Sequence, residues 1–125
     1  MVASNKRVLV VEDDVDIREA LIGILCDEGY DAEGAGNGLE GLDRLRARSS
    51  KPALILLDLM MPVMNGWQFR AEQKQDATLS TIPVIVISAD GNVRQKAESI
   101  EAAGYLKKPI ELDALLDLVG KYCAA

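Results

Sequence analysis

The 125-residue chain contains no histidine. That excludes a Ser-His-Asp triad, a Cys-His pair and any imidazole metal site. It has two cysteines, Cys26 and Cys123, far apart and without a CxxC motif. With no export signal they read as free cytosolic thiols. No apolar run approaches the roughly 18 residues of a membrane span. The opening MVASNKRVLVV reaches a charged strand flank without the apolar core of a signal peptide, so the expected location is cytoplasmic. Runs rich in Lys and Arg are also missing, and 14 basic against 20 acidic side chains leave a net charge of −6. This argues against nucleic-acid binding. Linkers, repeats and low-complexity tails are absent too, so residues 1–125 read as one domain. Its length allows a hydrophobic core that needs no disulfide or metal staple.

What is present is an alternation of short apolar strands and amphipathic helices. KRVLVVEDD (6–14) is a continuous β-branched run, the mark of a strand buried on both faces. DVDIREALIGILCDEG (14–29) places Ile17, Leu21, Ile24 and Leu25 on one helical stripe, with Gly29 as a stop signal. YDAEGA (30–35) is a weak strand, and NGLEGLDRLRAR (37–48) sets Leu39, Leu42 and Leu45 at helical spacing. PALILLD (52–58) and PVIVIS (83–88) are further strands, the second with Pro83 tolerated at its start. Between them GWQFRAEQKQD (66–76) reads as a helix. NVRQKAESIEAAG (92–104) reads as a fourth helix, YLKK (105–108) as a fifth strand, and PIELDALLDLVGKYC (109–123) as a last helix with Leu112, Leu115, Leu116 and Val119 inward. Five βα units predict an α/β fold, a doubly wound parallel sheet of strand order 2-1-3-4-5 with helices on both faces.

In such a sheet ligands bind outside the carboxyl ends of the strands, at the switch in strand order. The strong polar signals all fall there: Glu12, Asp13 and Asp14 after strand one, Asp58 after strand three, Ser88 after strand four, Lys107 and Lys108 after strand five. Strands one and three are neighbours in this order, which gathers the carboxylates in one crevice. Crowded carboxylates repel unless a cation joins them. A hard divalent ion such as Mg²⁺ takes oxygen ligands and often shares them with a phosphate. A hydroxyl and an ammonium group suit the remaining oxygens of a tetrahedral anion. Aspartate can also carry a phosphoryl group as an acyl phosphate. Each residue has a plainer reading. The acidic run can be a helix N-terminal signal, with Asp14 the best N-cap of the three. Asp58 can open a turn, Ser88 can be a strand-end hydroxyl, and the lysines can be solvated surface charge.

Taken together, VLVVEDD, LLDLMMPVMNGW, VIVISA and YLKKP resemble, in order and approximate spacing, the receiver domain of bacterial two-component response regulators. The resemblance covers essentially the whole chain and implies the flavodoxin-like form of the fold. It implies that Asp58 accepts a phosphoryl group from a sensor histidine kinase or phosphotransfer protein. Asp13 would bind Mg²⁺ (or Mn²⁺) with help from Glu12, alongside Asp58 itself and the backbone carbonyl of Met60. Ser88 and Lys108 would hold the phosphoryl oxygens, with the small Ala89 leaving them room. Lys107 would be solvated, and Lys108–Pro109 would be a cis peptide. Ser88 and Tyr105 would form a switch read by an output partner protein, while Met60 and Asp90 would tune dephosphorylation. Gly66 would allow a sharp turn near the site, and Met61, Met64 and Trp67 would pack. The implied domain is no turnover enzyme, and it is a monomer or a weak phosphorylation-dependent dimer.

One departure from the family pattern stands out. Only 20 positions separate Ser88 from Lys108, and Gly104 lies directly against Tyr105, so the fourth helix or its approach is shortened or shifted. The alternative function is a degenerate receiver, a phosphorylation-independent interaction module. An aspartyl-phosphate phosphatase would want an aspartate where Met60 stands. A flavin carrier would want a Ser/Thr/Gly-rich loop where Glu12, Asp13 and Asp14 stand.

Overall fold

The computed structural model describes residues 5–123. Strands and helices alternate as β1 (Arg7–Val11), α1 (Val15–Asp27), β2 (Asp31–Ala35), α2 (Gly38–Ala47), β3 (Leu54–Asp58), α3 (Gly66–Gln75), β4 (Val84–Ser88), α4 (Val93–Ser99), β5 (Gly104–Lys107) and α5 (Leu112–Tyr122). The five strands pair in parallel in the order β2-β1-β3-β4-β5. This is the flavodoxin-like α/β sheet that the alternating pattern predicts.

Side chains along a strand alternate between faces, so a strand covered on both sides must be apolar throughout. Leu9, Val11, Ile55, Leu57, Val84 and Val86 join one core with Leu42, Leu45, Phe69 and Ala97 from α2, α3 and α4. Val8, Val10, Leu54, Leu56, Ile85 and Ile87 join a second core with Leu21, Leu25, Leu115 and Val119 from α1 and α5. Every residue of β3, Asp58 included, is buried. Burial of each such aliphatic side chain is worth about 1.5–3 kcal/mol, so β3 holds its last residue on a stiff, well-anchored strand.

Helix ends follow their local chemistry. The Asp14 carboxylate accepts from the Ile17 amide and caps α1. At the other end Gly29 adopts φ +90°. There the Tyr30 amide reaches the Leu25 carbonyl and the Gly29 amide the Cys26 carbonyl, a Schellman closure that only glycine makes without strain. Asn65 and Gln68 form a reciprocal capping box on α3.

Three expectations need correction. Leu39 and Leu112 sit in the first turns of α2 and α5 at the sheet's rim and are 46% and 50% exposed, so neither belongs to the core. The fourth helix also ends earlier than its sequence suggests, at Ser99. Arg70 of α3 donates to the carbonyls of Ile100 and Glu101, and Glu101 turns to φ +55°. The chain then runs straight into β5, which already includes Gly104.

Candidate functional site

The carboxyl ends of β1, β3, β4 and β5 meet on one side of the sheet. β1 and β3 are paired, with Val11 opposite Leu57, so Glu12 and Asp13 emerge beside Asp58. Carboxylate oxygens of Glu12, Asp13 and Asp58 all lie within 4.8 Å of one another. Glu12 is fully buried, Asp58 is buried, and Asp13 is exposed. The Met60 amide donates to Asp58 Oδ1 at 3.1 Å, which fixes that carboxylate and folds the chain back over it.

Lys108 supplies the counter-charge. Its Nζ stands 2.5 Å from Glu12 Oε1 and 3.6 Å from Asp58 Oδ2. Its amide bonds the Ser88 carbonyl at 2.8 Å, and the Lys108–Pro109 peptide is cis. Lys107 is exposed. Burial works against the Lys108 charge, but the Glu12 and Asp58 carboxylates outweigh it and hold the ammonium above its ordinary pKa. Glu12 is pushed above the usual carboxylate range, by burial first and by its neighbour Asp58 second, with Lys108 opposing. Glu12 Oε1 is buried, and the Lys108 ammonium is its ion-pair partner. Three oxygen donors on one sheet edge, two of them from buried side chains, fit a hard divalent cation.

Ser88 is buried, and its Oγ accepts from the Asp90 amide at 3.1 Å. The Asp90 carboxylate pairs with Lys96 and accepts from the Asn92 amide. These contacts, Lys96 first, hold its pKa low. Lys96 also stands 5.8 Å from the centre of the Trp67 ring, linking α4 to α3 beside the site. Ala89 is exposed at the rim, where with Lys108, Pro109 and Ile110 it faces Ile17 and Leu21 of α1 across an apolar cavity of about 500 Å³. Tyr105 is 42% exposed and Met60 64% exposed. Met61, Met64 and Trp67 pack partly buried against the core.

Gly66 owes its identity to close approach rather than to backbone freedom. A Cβ there would lie 2.5 Å from Leu59 Cδ2 and 2.9 Å from the Asp58 carbonyl oxygen. Arg18 was not singled out by sequence reasoning, yet its Nη1 donates to the Glu12 carbonyl at 2.7 Å. Arg70 and Gln73 were missed as well. They lie in a helix whose apolar stripe is weak, and only the fold reveals that they bond the loop carbonyls of Leu79, Ile82, Ile100 and Glu101.

Residues 8–120 match the family model of the response regulator receiver domain. The chain belongs to the receiver domain family. Curated relatives of this receiver include the probable transcriptional regulator ycf29 of Pyropia yezoensis, 33% identical over 120 residues that make up 94% of this chain and 53% of that protein. The response regulator MprA of Mycobacterium avium is 35% identical over 112 residues, 88% of this chain and 47% of that protein. The receiver thus spans about half the length of the curated relatives it matches. Among solved structures, a response regulator receiver protein from Pseudomonas putida superposes with a TM-score of 0.86 at 32% identity, covering 96% of this chain and 99% of that one. The chemotaxis protein CheY4 of Vibrio cholerae gives 0.84 at 26% identity, covering 95% and 99%. Receiver domains are signalling modules of two-component systems and generally not turnover enzymes. Among the described residues no helix is long and apolar enough to cross a membrane.

Proposed function

We propose that this receiver is a phosphorylation-operated switch, a single domain over residues 1–125 acting in the cytoplasm. It would take a phosphoryl group from a phosphohistidine of a sensor kinase or phosphotransfer protein onto Asp58. The observation that carries this reading is the placement of the Asp58 carboxylate. It ends a fully buried strand, is gripped by the Met60 amide, lies 3.6 Å from Lys108 Nζ, and shares one cluster with Glu12 and Asp13.

In the transfer, a carboxylate oxygen of Asp58 forms the new bond to phosphorus as the bond from phosphorus to the donor imidazole nitrogen breaks. The imidazole leaves with a proton. Glu12, Asp13, Asp58 and the Met60 carbonyl would hold Mg²⁺, with Mn²⁺ an alternative. The ion's chemistry is to neutralise negative charge on the phosphoryl oxygens. Lys108, beside Asp58 Oδ2, would supply a second positive charge, and the Ser88 hydroxyl would supply a hydrogen bond. Ala89 keeps the approach open.

Ser88 is held now by the Asp90 amide. Drawn toward the phosphoryl group, it would vacate space for Tyr105 to turn inward, changing the face of α4, β5 and α5 that an output protein reads. Only a partner with different affinity for the two states would register the change. Met60 and Asp90 border the approach of water to the acyl phosphate and would set its lifetime.

The test is intact-protein mass spectrometry after incubation with a small phosphodonor, with Mg²⁺ or with chelator. A single phosphoryl adduct is expected on the wild type with Mg²⁺, and none on Asp58→Asn. No adduct on the wild type would favour a phosphorylation-independent interaction module instead.

A further inference from the structure

We propose that Arg18 is a positioning residue for the divalent cation that the phosphotransfer reading assigns to Glu12, Asp13, Asp58 and the Met60 carbonyl. This inference rests on that reading. The Glu12 amide donates to the Ala35 carbonyl of β2, so in a parallel ladder its own carbonyl faces the same neighbour. By then the neighbouring chain has left the sheet: Asn37 caps α2, and the Gly36 amide bonds the Glu40 carboxylate. The donor that reaches the Glu12 carbonyl is Arg18 Nη1, at 2.7 Å, one turn into α1. A charged donor makes a stronger bond than the ladder amide it replaces. It fixes the peptide that joins the two metal-binding carboxylates.

The room for this reach is built into β2. A Cβ on Gly34 would lie 2.8 Å from both Arg18 Cδ and Ile22 Cδ1 and 3.1 Å from Arg18 Cγ, whereas one on Gly36 would make only ordinary contact with Arg18 Nη1, at 3.5 Å. The arginine stem therefore lies in a track that a side chain at position 34 would narrow. Glu40 faces the same guanidinium and feels its charge.

Two effects of Arg18 on a bound cation oppose one another. Its positive charge repels the ion, while its hydrogen bond preorganises the ligands. Salt separates them, because the Debye length falls to about 3 Å at ~1 M ionic strength and the repulsion fades while the geometry does not. Positioning of this kind is worth about tenfold or more in metal affinity.

The experiment is calorimetric titration of Mg²⁺ into wild type, Arg18→Met, Arg18→Lys and Gly34→Ala, at low and at high salt, with thermal midpoints alongside. The expected result at high salt is about tenfold weaker Mg²⁺ binding for Arg18→Met, partial recovery in Arg18→Lys, and weakening in Gly34→Ala, which leaves Arg18 itself in place. If Arg18→Met does not fold, Gly34→Ala and Arg18→Lys decide. Binding by the folded variants as tight as wild type at high salt would overturn the proposal. Wild type that binds no Mg²⁺ would overturn the phosphotransfer reading and this inference with it. Wild type that binds while folded Arg18→Met binds equally well would overturn this inference alone.

Discussion

Lys108→Met is the sharpest probe of the charge balance at the site. Methionine keeps an apolar stem and removes the ammonium that touches both Glu12 and Asp58. The Glu12 side chain is fully buried, so the variant leaves a carboxylate without counter-charge. Breaking a buried pair costs about 3–5 kcal/mol when the remaining charge has no escape. Glu12 has one, because it can take up a proton. From its ordinary pKa of 4.5, holding it protonated at about pH 7 costs ~3.4 kcal/mol at ~1.36 kcal/mol per pH unit. That sets a ceiling on the loss attributable to Glu12. Wild-type Glu12 already sits above its ordinary value, by burial first and Asp58 second, so the net loss falls below the ceiling. The sign follows from linkage. A carboxyl whose folded pKa is raised costs stability fully above that pKa, and the cost vanishes below 4.5, where both states are protonated. The deficit of Lys108→Met relative to wild type should therefore shrink as pH falls, by no more than ~1.4 kcal/mol per unit. Urea unfolding without divalent cations at about pH 7.5, 6.5 and 5.5 reads this directly. A deficit that does not change with pH would show that Lys108 acts through its stem and not its charge.

Three further outcomes are expected. Val63 is 75% exposed and held at φ +68°, where a β-branched residue is strained. Val63→Gly should raise stability by about 0.5–1 kcal/mol, and a lowered thermal midpoint would contradict this. Gly66→Ala would press a methyl onto the Leu59 and Asp58 backbone at 2.6 and 2.9 Å. It should cost about 1–3 kcal/mol and weaken Mg²⁺ binding, and a variant indistinguishable from wild type in both would refute the close-approach argument. Cys26 is exposed, whereas Cys123 is buried and its thiol is pushed up by that burial. A native-state alkylation time course should show one fast thiol and one that reacts only on unfolding, and equal rates would count against the docking of the last turn.

The elements and their order were legible because burial on both faces writes itself as unbroken runs such as LILLD and VIVIS. The gathering of Glu12, Asp13, Asp58 and Lys108 followed from topology, since parallel strands deliver their carboxyl ends to one edge. What periodicity cannot report is where a helix runs past its support. Leu39 and Leu112 keep the spacing of a core stripe but stand in first turns at the rim. Periodicity is equally silent on polar side chains that satisfy distant backbone. Arg70 holds the carbonyls just past the end of α4, about thirty residues away in sequence, and nothing in VRQKAESIEAAG announces it. Arg18 is of the same kind: on a helical wheel it is a surface charge, and only the early departure of β2 gives it a carbonyl to hold.

Three carboxylates share one crevice, and the proposed chemistry belongs to Asp58 alone. An acyl phosphate is reduced by borohydride to an alcohol, leaving homoserine where aspartate carried the phosphoryl group. After phosphodonor and Mg²⁺ treatment, reduction and peptide mass mapping should find homoserine at position 58 alone. Label at Asp13, or none with Mg²⁺ present, would contradict the assignment of Asp58 as the phosphoacceptor.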